Sequence, residues 1–253
     1  MKKSHYYLRR IHRYVGVVIG VQFILWTVGG LYFSWSDLDE IHGDHLIKQN
    51  EFLPLEGISF VSPQIVLNKL KSEDGLDSLI SIKVIELMNK PLYQIQYLNI
   101  AANDKVIKTR LASAETGELR GEITEMEAVD IAGSHMYPNA KIKKIEYLES
   151  TGEHHEYRNQ ALPAWAISFD HEENPVVYVS TELGTLQLIR HDSWRFFDLL
   201  WMFHTMDYQG RDNFNNVVLR VFSIFGLLTI VSGFTLFYIS SPTIRKIRNN
   251  IFL

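Results

Sequence analysis

Ten histidines and no cysteine bound the chemistry open to this chain. Without thiols there is no disulfide, no Cys-ligated zinc, no iron–sulfur cluster, no thiolate nucleophile and no covalently attached c-type haem. Imidazoles and carboxylates are left as metal ligands and proton carriers. His12 is followed by Gly16 and Gly20 at i+4 and i+8, and His5 lies one heptad earlier, so these residues share nearly one helix face. That face suits a flat cofactor such as b-type haem, which needs axial ligands and small residues where the ring meets a helix. The same spacing also serves close packing of two helices. His204 is a second axial-ligand candidate. About 20 residues of helix put it roughly 30 Å from His12, so one haem cannot take both. His42 and His45 stand among acids in Asp37–His45 and could hold a cation, or form an acidic turn. Glu153-His154-His155-Glu156 offers a similar mixture in what reads as a solvated hairpin loop.

Several chemistries have no motif to support them. There is no G-x-S-x-G, H-E-x-x-H or phosphate loop, and no G-x-G-x-x-G for nicotinamide or flavin. The net charge of −4 argues against nucleic acid as a partner. A hydrolase or nucleotide-dependent enzyme is therefore not indicated. A reductase role would depend on haem.

The elements that position these residues divide by charge. The mean hydropathy of −0.05 averages two unlike materials. Residues 14–36 and 221–244 carry no charge, while 37–216 holds all 29 acids against 16 Lys and Arg, a local charge of −13 by difference. Each charge-free stretch is long enough for a helix across a hydrocarbon core of about 30 Å. Tyr14, Tyr32, Trp35, Phe237 and Tyr238 sit where interfacial aromatics belong. The first stretch is too long for a signal-peptide core and lacks an A-x-A site, so it reads as an uncleaved anchor. Lys2, Lys3, Arg9, Arg10 and Arg13 precede the first stretch, and Arg245, Lys246 and Arg248 follow the second. By the positive-inside rule both ends are cytoplasmic and the acidic segment faces outward.

Within that segment a helix–strand order occurs twice. Ser62-Pro63 opens a helix to about Lys71, and strands are expected at 79–87, 92–98 and 105–112, with 118–121 after a turn at Thr116-Gly117. A second helix at 124–134 begins with a capping box, Thr124 and Glu127. Strands follow near 142–148, 164–169, 176–180 and 185–190. The pattern S-x-E-x-G-x-L starts at Ser113 and again 67 residues later at Ser180, a candidate duplication. Residues 191–208 place Trp194, Phe197, Leu200, Trp201 and His204 at helical spacing, an amphipathic helix expected to lie on the bilayer. The fold class is α+β, with two transmembrane helices flanking an extracytoplasmic domain of two helix-plus-antiparallel-sheet units.

These features resemble the PepSY-associated transmembrane proteins. The resemblance is carried by Leu8–Gly16 (LRRIHRYVG), Leu162–Trp165, Val177–Ser180 with Gly184, Arg195–Trp201, Met202–Tyr208 and Val231-Ser232-Gly233. It implies two PepSY-like units at 58–122 and 123–190. Around them lie a basic N-terminus at 1–13, membrane helices at 14–36 and 217–241, a linker at 37–57, an interfacial helix and loop at 191–216, and a basic tail at 242–253.

Larger members of that family have four or more membrane helices, and some are associated with iron–siderophore uptake. The resemblance therefore implies an inner-membrane-anchored accessory or binding protein in that context. Its partner would be a periplasmic protein, a peptide captured on a strand edge or a ferric chelate. The alternative is a homodimer holding haem b at His12, Gly16, Gly20 and His204 and passing electrons across the membrane.

Overall fold

A computed structural model describes residues 3–48, 57–101, 104–136 and 140–244. Lys2, the stretch 49–56 of the expected linker and the tail from Arg245 onward lie outside the described residues. The chain divides into two compact units: Met1–Asp37 with Phe196–Leu253, and Leu38–Arg195.

The first unit is helical. Helix α1 runs Lys3–Trp35 and α6 runs Val217–Ser240, so the basic N-terminus continues the first apolar helix. Both are long and apolar enough to cross a membrane. Val18, Ile24 and Val28 of α1 and Ile224, Leu227 and Phe234 of α6 are exposed, and no α6 residue is buried. Helices that are apolar all round and uncovered by protein suit a lipid surround. They meet where side chains are small: a Cβ on Gly16 would lie 3.9 Å from Thr229 Cγ2, and one on Gly233 would lie 3.4 Å from His12 Cε1. Asn216 caps α6 by accepting from the Leu219 amide at 2.7 Å.

Helix α5 spans Asp192–Thr205. From Phe197 onward it follows α1 in the antiparallel sense. Phe197 and Trp201 pack on Phe33, and His204 stacks on Trp26 at 4.5 Å. Gln22 donates to the Phe203 carbonyl at 2.9 Å and accepts from the Tyr208 hydroxyl at 3.0 Å. Eleven residues separate Phe33 from Gln22, about 16 Å of helix axis at roughly 1.5 Å per residue. The amphipathic face of α5 is thus spent on α1. Gly29 and Gly30 lie at this contact, where a Cβ would stand at ordinary van der Waals distance from the Leu200 carbonyl (3.6 Å) and from His204 (3.7 Å).

The second unit holds two repeats of one helix and four antiparallel strands. The first comprises α3 (Pro63–Glu73), β1 (Ser78–Leu87), β2 (Lys90–Ala101), β3 (Asp104–Ser113) and β4 (Leu119–Arg120), in sheet order β1-β2-β3-β4. The second comprises α4 (Glu125–His135), β5 (Lys141–Leu148), β6 (Ala164–Asp170), β7 (Val176–Ser180) and β8 (Leu186–Arg190), in order β5-β6-β7-β8. In both, the register shifts once near the start of the first strand, at Leu79/Ser81 and at Ile142/Lys144.

The S-x-E-x-G-x-L pattern proves to be one turn built twice. The Ser113 and Ser180 carbonyls accept from Gly117 and Gly184, and both serine hydroxyls accept from an amide inside the turn. Both glycines are left-handed, at φ +71° and +66°, a region an L side chain enters at a cost.

Strand alternation assigns the faces. Tyr93, Ile95, Tyr97 and Ala112 pack against Val66 and Leu70 of α3. The opposite face contributes Leu92 and Leu111 to a larger core with Ile167, Phe169, Val177, Val179 and Ile189 of the second sheet and Ala128, Ile131 and Ala132 of α4. The outer face of the second sheet is covered by the 149–163 loop, whose buried Tyr157 stacks on Tyr178 at 4.6 Å. Burial pushes the Tyr157 phenol up to about 12.

Two further elements fill part of the expected linker. Helix α2 (Leu38–His42) and a 3-10 turn (Asp44–Leu46) bury Ile41 and Leu46. The Lys48 amide then donates to the His135 carbonyl at 2.9 Å.

Candidate metal centre

Two connections at one end of the second repeat and the 3-10 turn of the linker converge on one group of donors. His45 lies in the 3-10 turn, Glu173 in the β6–β7 connection, and His191 immediately after β8. Their ligand atoms all lie within 4.8 Å of one another. His45 Nε2 is 3.1 Å from Glu173 Oε2, and His191 Nδ1 is 3.0 Å from the same oxygen. The His45 and His191 rings are 5.3 Å apart and nearly perpendicular.

His191 is fully buried. Its Nε2 lies 3.1 Å from both the Glu40 and the Ile41 carbonyl oxygens, near the end of α2. Carbonyls only accept, so Nε2 carries a proton, and in the neutral ring Nδ1 keeps its lone pair. That Nδ1 is buried and makes no hydrogen bond, although Glu173 Oε2 is close. His45 and Glu173, by contrast, keep about a third of their side-chain surface, 33% and 35%, so the group has one buried wall and one open mouth.

The local sequence explains the assembly. Gly43 reverses the chain between α2 and the 3-10 turn at φ +88°. A Cβ there would meet Ile189 at 3.4 Å and His191 at 3.5 Å, so glycine lets the α2 end close over the ring. The turn bearing Glu173 is tied to the start of α5. The Asp192 amide donates to the Glu173 carbonyl at 3.0 Å, and Asn174 Nδ2 donates to Asp192 Oδ2 at 2.9 Å. Arg195 then donates to Asp192 Oδ1 at 2.8 Å and to the Asn174 carbonyl at 3.0 Å. The Asn174 and Arg195 hydrogen bonds hold the Asp192 carboxyl below its usual range, against a smaller opposing effect of burial.

Arg195 also organises the neighbouring loop. Its Nε and Nη2 reach Glu156 at 2.7 and 3.1 Å, and the Tyr178 hydroxyl donates to Glu156 at 2.7 Å. Burial alone would push the Glu156 carboxyl up. The hydrogen bonds from Arg195 and Tyr178 outweigh burial and hold it below its ordinary value. The 153–156 loop is therefore not wholly solvated: Glu153 and His154 are exposed, while Glu156 is a structural anion. Beside it, the Arg190 guanidinium lies 3.9 Å over the Trp194 ring.

Of the residues singled out in the sequence, His45 enters the group and His42 stays exposed outside it, beyond the reversal at Gly43. Glu173 and His191 carry no local signal. They lie 128 and 146 residues from His45, and only the sheet brings them to it. His12 Nδ1 bonds Ser232 Oγ at 2.7 Å. Gly16 packs on Thr229, and Gly20 has nothing within 4 Å of a Cβ position. The Gly16 side of this face is thus already filled by α6, which leaves a flat ring only the Gly20 side. His204 lies between Trp26 and Trp201, at the level of a residue 14 positions along α1 from His12. That is about 21 Å at roughly 1.5 Å per residue, too far for one haem to take both ligands.

Two imidazoles and a carboxylate form a donor set suited to borderline first-row transition metals rather than to Ca²⁺ or Mg²⁺, which prefer oxygen alone. The −13 charge of the surrounding segment favours cations. Compared with known protein families, with curated proteins and with solved structures, the chain matches none.

Proposed function

We propose that this chain is a membrane-anchored accessory protein with a binding role in iron or siderophore uptake. Both apolar helices cross the inner membrane, both ends lie in the cytoplasm, and the Leu38–Arg195 unit faces outward. The observation that carries the reading is that this folded, acidic unit lies in the chain between two helices of membrane length, with uncovered apolar surfaces. The uptake context follows from the resemblance to PepSY-associated transmembrane proteins.

Protease added outside intact spheroplasts is expected to cleave within 38–195, and protection of that stretch would overturn the orientation. Deletion of the gene is expected to slow uptake of radiolabelled ferric chelate severalfold under iron limitation. Unchanged uptake would overturn the iron context.

A further inference from the structure

We infer that His45, Glu173 and His191 form a binding site for one divalent first-row transition-metal ion, with coordination positions left open toward solvent. The inference rests on the group's own geometry and not on the accessory role.

The first argument is direction. Glu173 Oε2 and His191 Nδ1 are 3.0 Å apart, yet Nδ1 makes no hydrogen bond. In the neutral ring, a lone pair and a carboxylate oxygen at that separation repel if nothing lies between them. Donors that converge on a common point need not face each other. With metal–ligand distances of about 2.1 Å, two donors at right angles around one ion lie about 3.0 Å apart, and tetrahedral donors about 3.4 Å. The two close separations here, 3.0 and 3.1 Å, fall at the near end of that range.

The second argument is the support behind the ligand. A metal-binding histidine commonly donates its other ring N–H to a carbonyl or carboxylate, which fixes the tautomer and aims the free nitrogen. His191 does this twice over, to Glu40 and Ile41. A fully buried imidazole held in this tautomer has no solvent to satisfy Nδ1. A cation between Nδ1 and Glu173 would complete it.

The third argument is access. The buried nitrogen forms the floor, while His45 and Glu173 form a partly exposed rim. Three protein donors leave at least one position for water or an exogenous ligand, as in open rather than closed metal sites. The backbone of the Glu173 turn is braced through Asp192, Asn174 and Arg195, which fixes where the side chain starts.

The test uses the full chain in detergent, purified without a polyhistidine tag, stripped with chelator and titrated with Co²⁺. One equivalent is expected to bind and give visible ligand-field absorption, which Zn²⁺ should displace. His45→Ala and Glu173→Gln alter the exposed rim rather than the buried floor. Each should weaken Co²⁺ binding at least tenfold while leaving the circular dichroism of the chelated protein unchanged. Absence of a saturable single equivalent overturns the site. So does binding that both variants retain at the original affinity, since the ion would then sit elsewhere. If the orientation or uptake tests fail and the titration succeeds, the accessory reading falls and the metal site stands.

Discussion

In the first repeat the connections are spare. Met88 and Asn89, both at positive φ, close β1 onto β2 in two residues, and Gly121 follows β4 on the way to α4. In the second repeat the counterpart of the first is the 149–163 loop between β5 and β6, which brings in Tyr157 and Glu156, and the place after β8 carries buried His191. The strands of both repeats obey the same alternation and share a core. A repeated scaffold is thus free to differ where strands are joined, because the strand ladders and the shared core do not fix the length of a connection.

The sharpest way to break this comparison is at the shared turn. A Cβ on Gly184 would lie 2.7 Å from Leu111 Cδ1 in the core, whereas one on Gly117 meets Val61 and Ile65 at 3.4 Å. Gly117→Ala should cost about 1–2 kcal/mol for the left-handed backbone alone. Gly184→Ala should cost a further 1–3 kcal/mol, roughly, for overpacking. Urea unfolding of both variants checks the difference, and equal losses would mean that the second turn is no tighter than the first.

Each repeat also has an Arg–carboxylate pair. Arg195–Glu156 is doubly bonded with the Tyr178 hydroxyl at 2.7 Å, while Arg110–Asp74 is a single 2.6 Å contact with the Tyr97 hydroxyl at a longer 3.4 Å. Glu156→Gln should cost about 2 kcal/mol at neutral pH, and Arg110→Ala less than about 1 kcal/mol. The sign with pH follows from the depressed Glu156 carboxyl. Its contribution is present above the ordinary value of 4.5 and is lost as pH falls through the lower folded value. Acid titration of stability should therefore fall more steeply in the wild type than in Glu156→Gln between 4.5 and that lower value, and the two should run parallel below it.

The helix caps give the smallest contrast. Thr124 and Glu127 form a reciprocal box, whereas Ser62 makes one 3.4 Å contact to Gln64. Thr124→Ala should lower stability by about 1 kcal/mol and Ser62→Ala by about 0.5 kcal/mol. Thermal melts that reversed this order would place the weight of helix initiation elsewhere.

Most of the scaffold was legible because it follows local rules. The expected strand at 176–180 is β7 itself, and those at 79–87 and 105–112 differ from β1 and β3 by one residue at their ends. The capping box located α4 to within a residue. What escaped was long-range. The stretch expected as a linker contains α2 and the 3-10 turn, whose Ile41 and Leu46 are too few for a periodic signal. His191 opens the expected 191–208 element but stands off its apolar spacing, and Glu173 reads like any acid in a turn. His204 was legible as part of an apolar helix face, but its neighbour is α1, where it stacks on Trp26.

The open edges of the two sheets have a different consequence. β5 is an eight-residue edge carrying Lys141, Lys143 and Lys144, charges that discourage another strand from pairing. β1 is a ten-residue edge whose only Lys is Lys83, with Leu79, Ile80 and Val84 exposed. At high concentration it is along β1 that one copy would template another. A lysine at Ile80 would be the simplest way to keep the purified protein from associating.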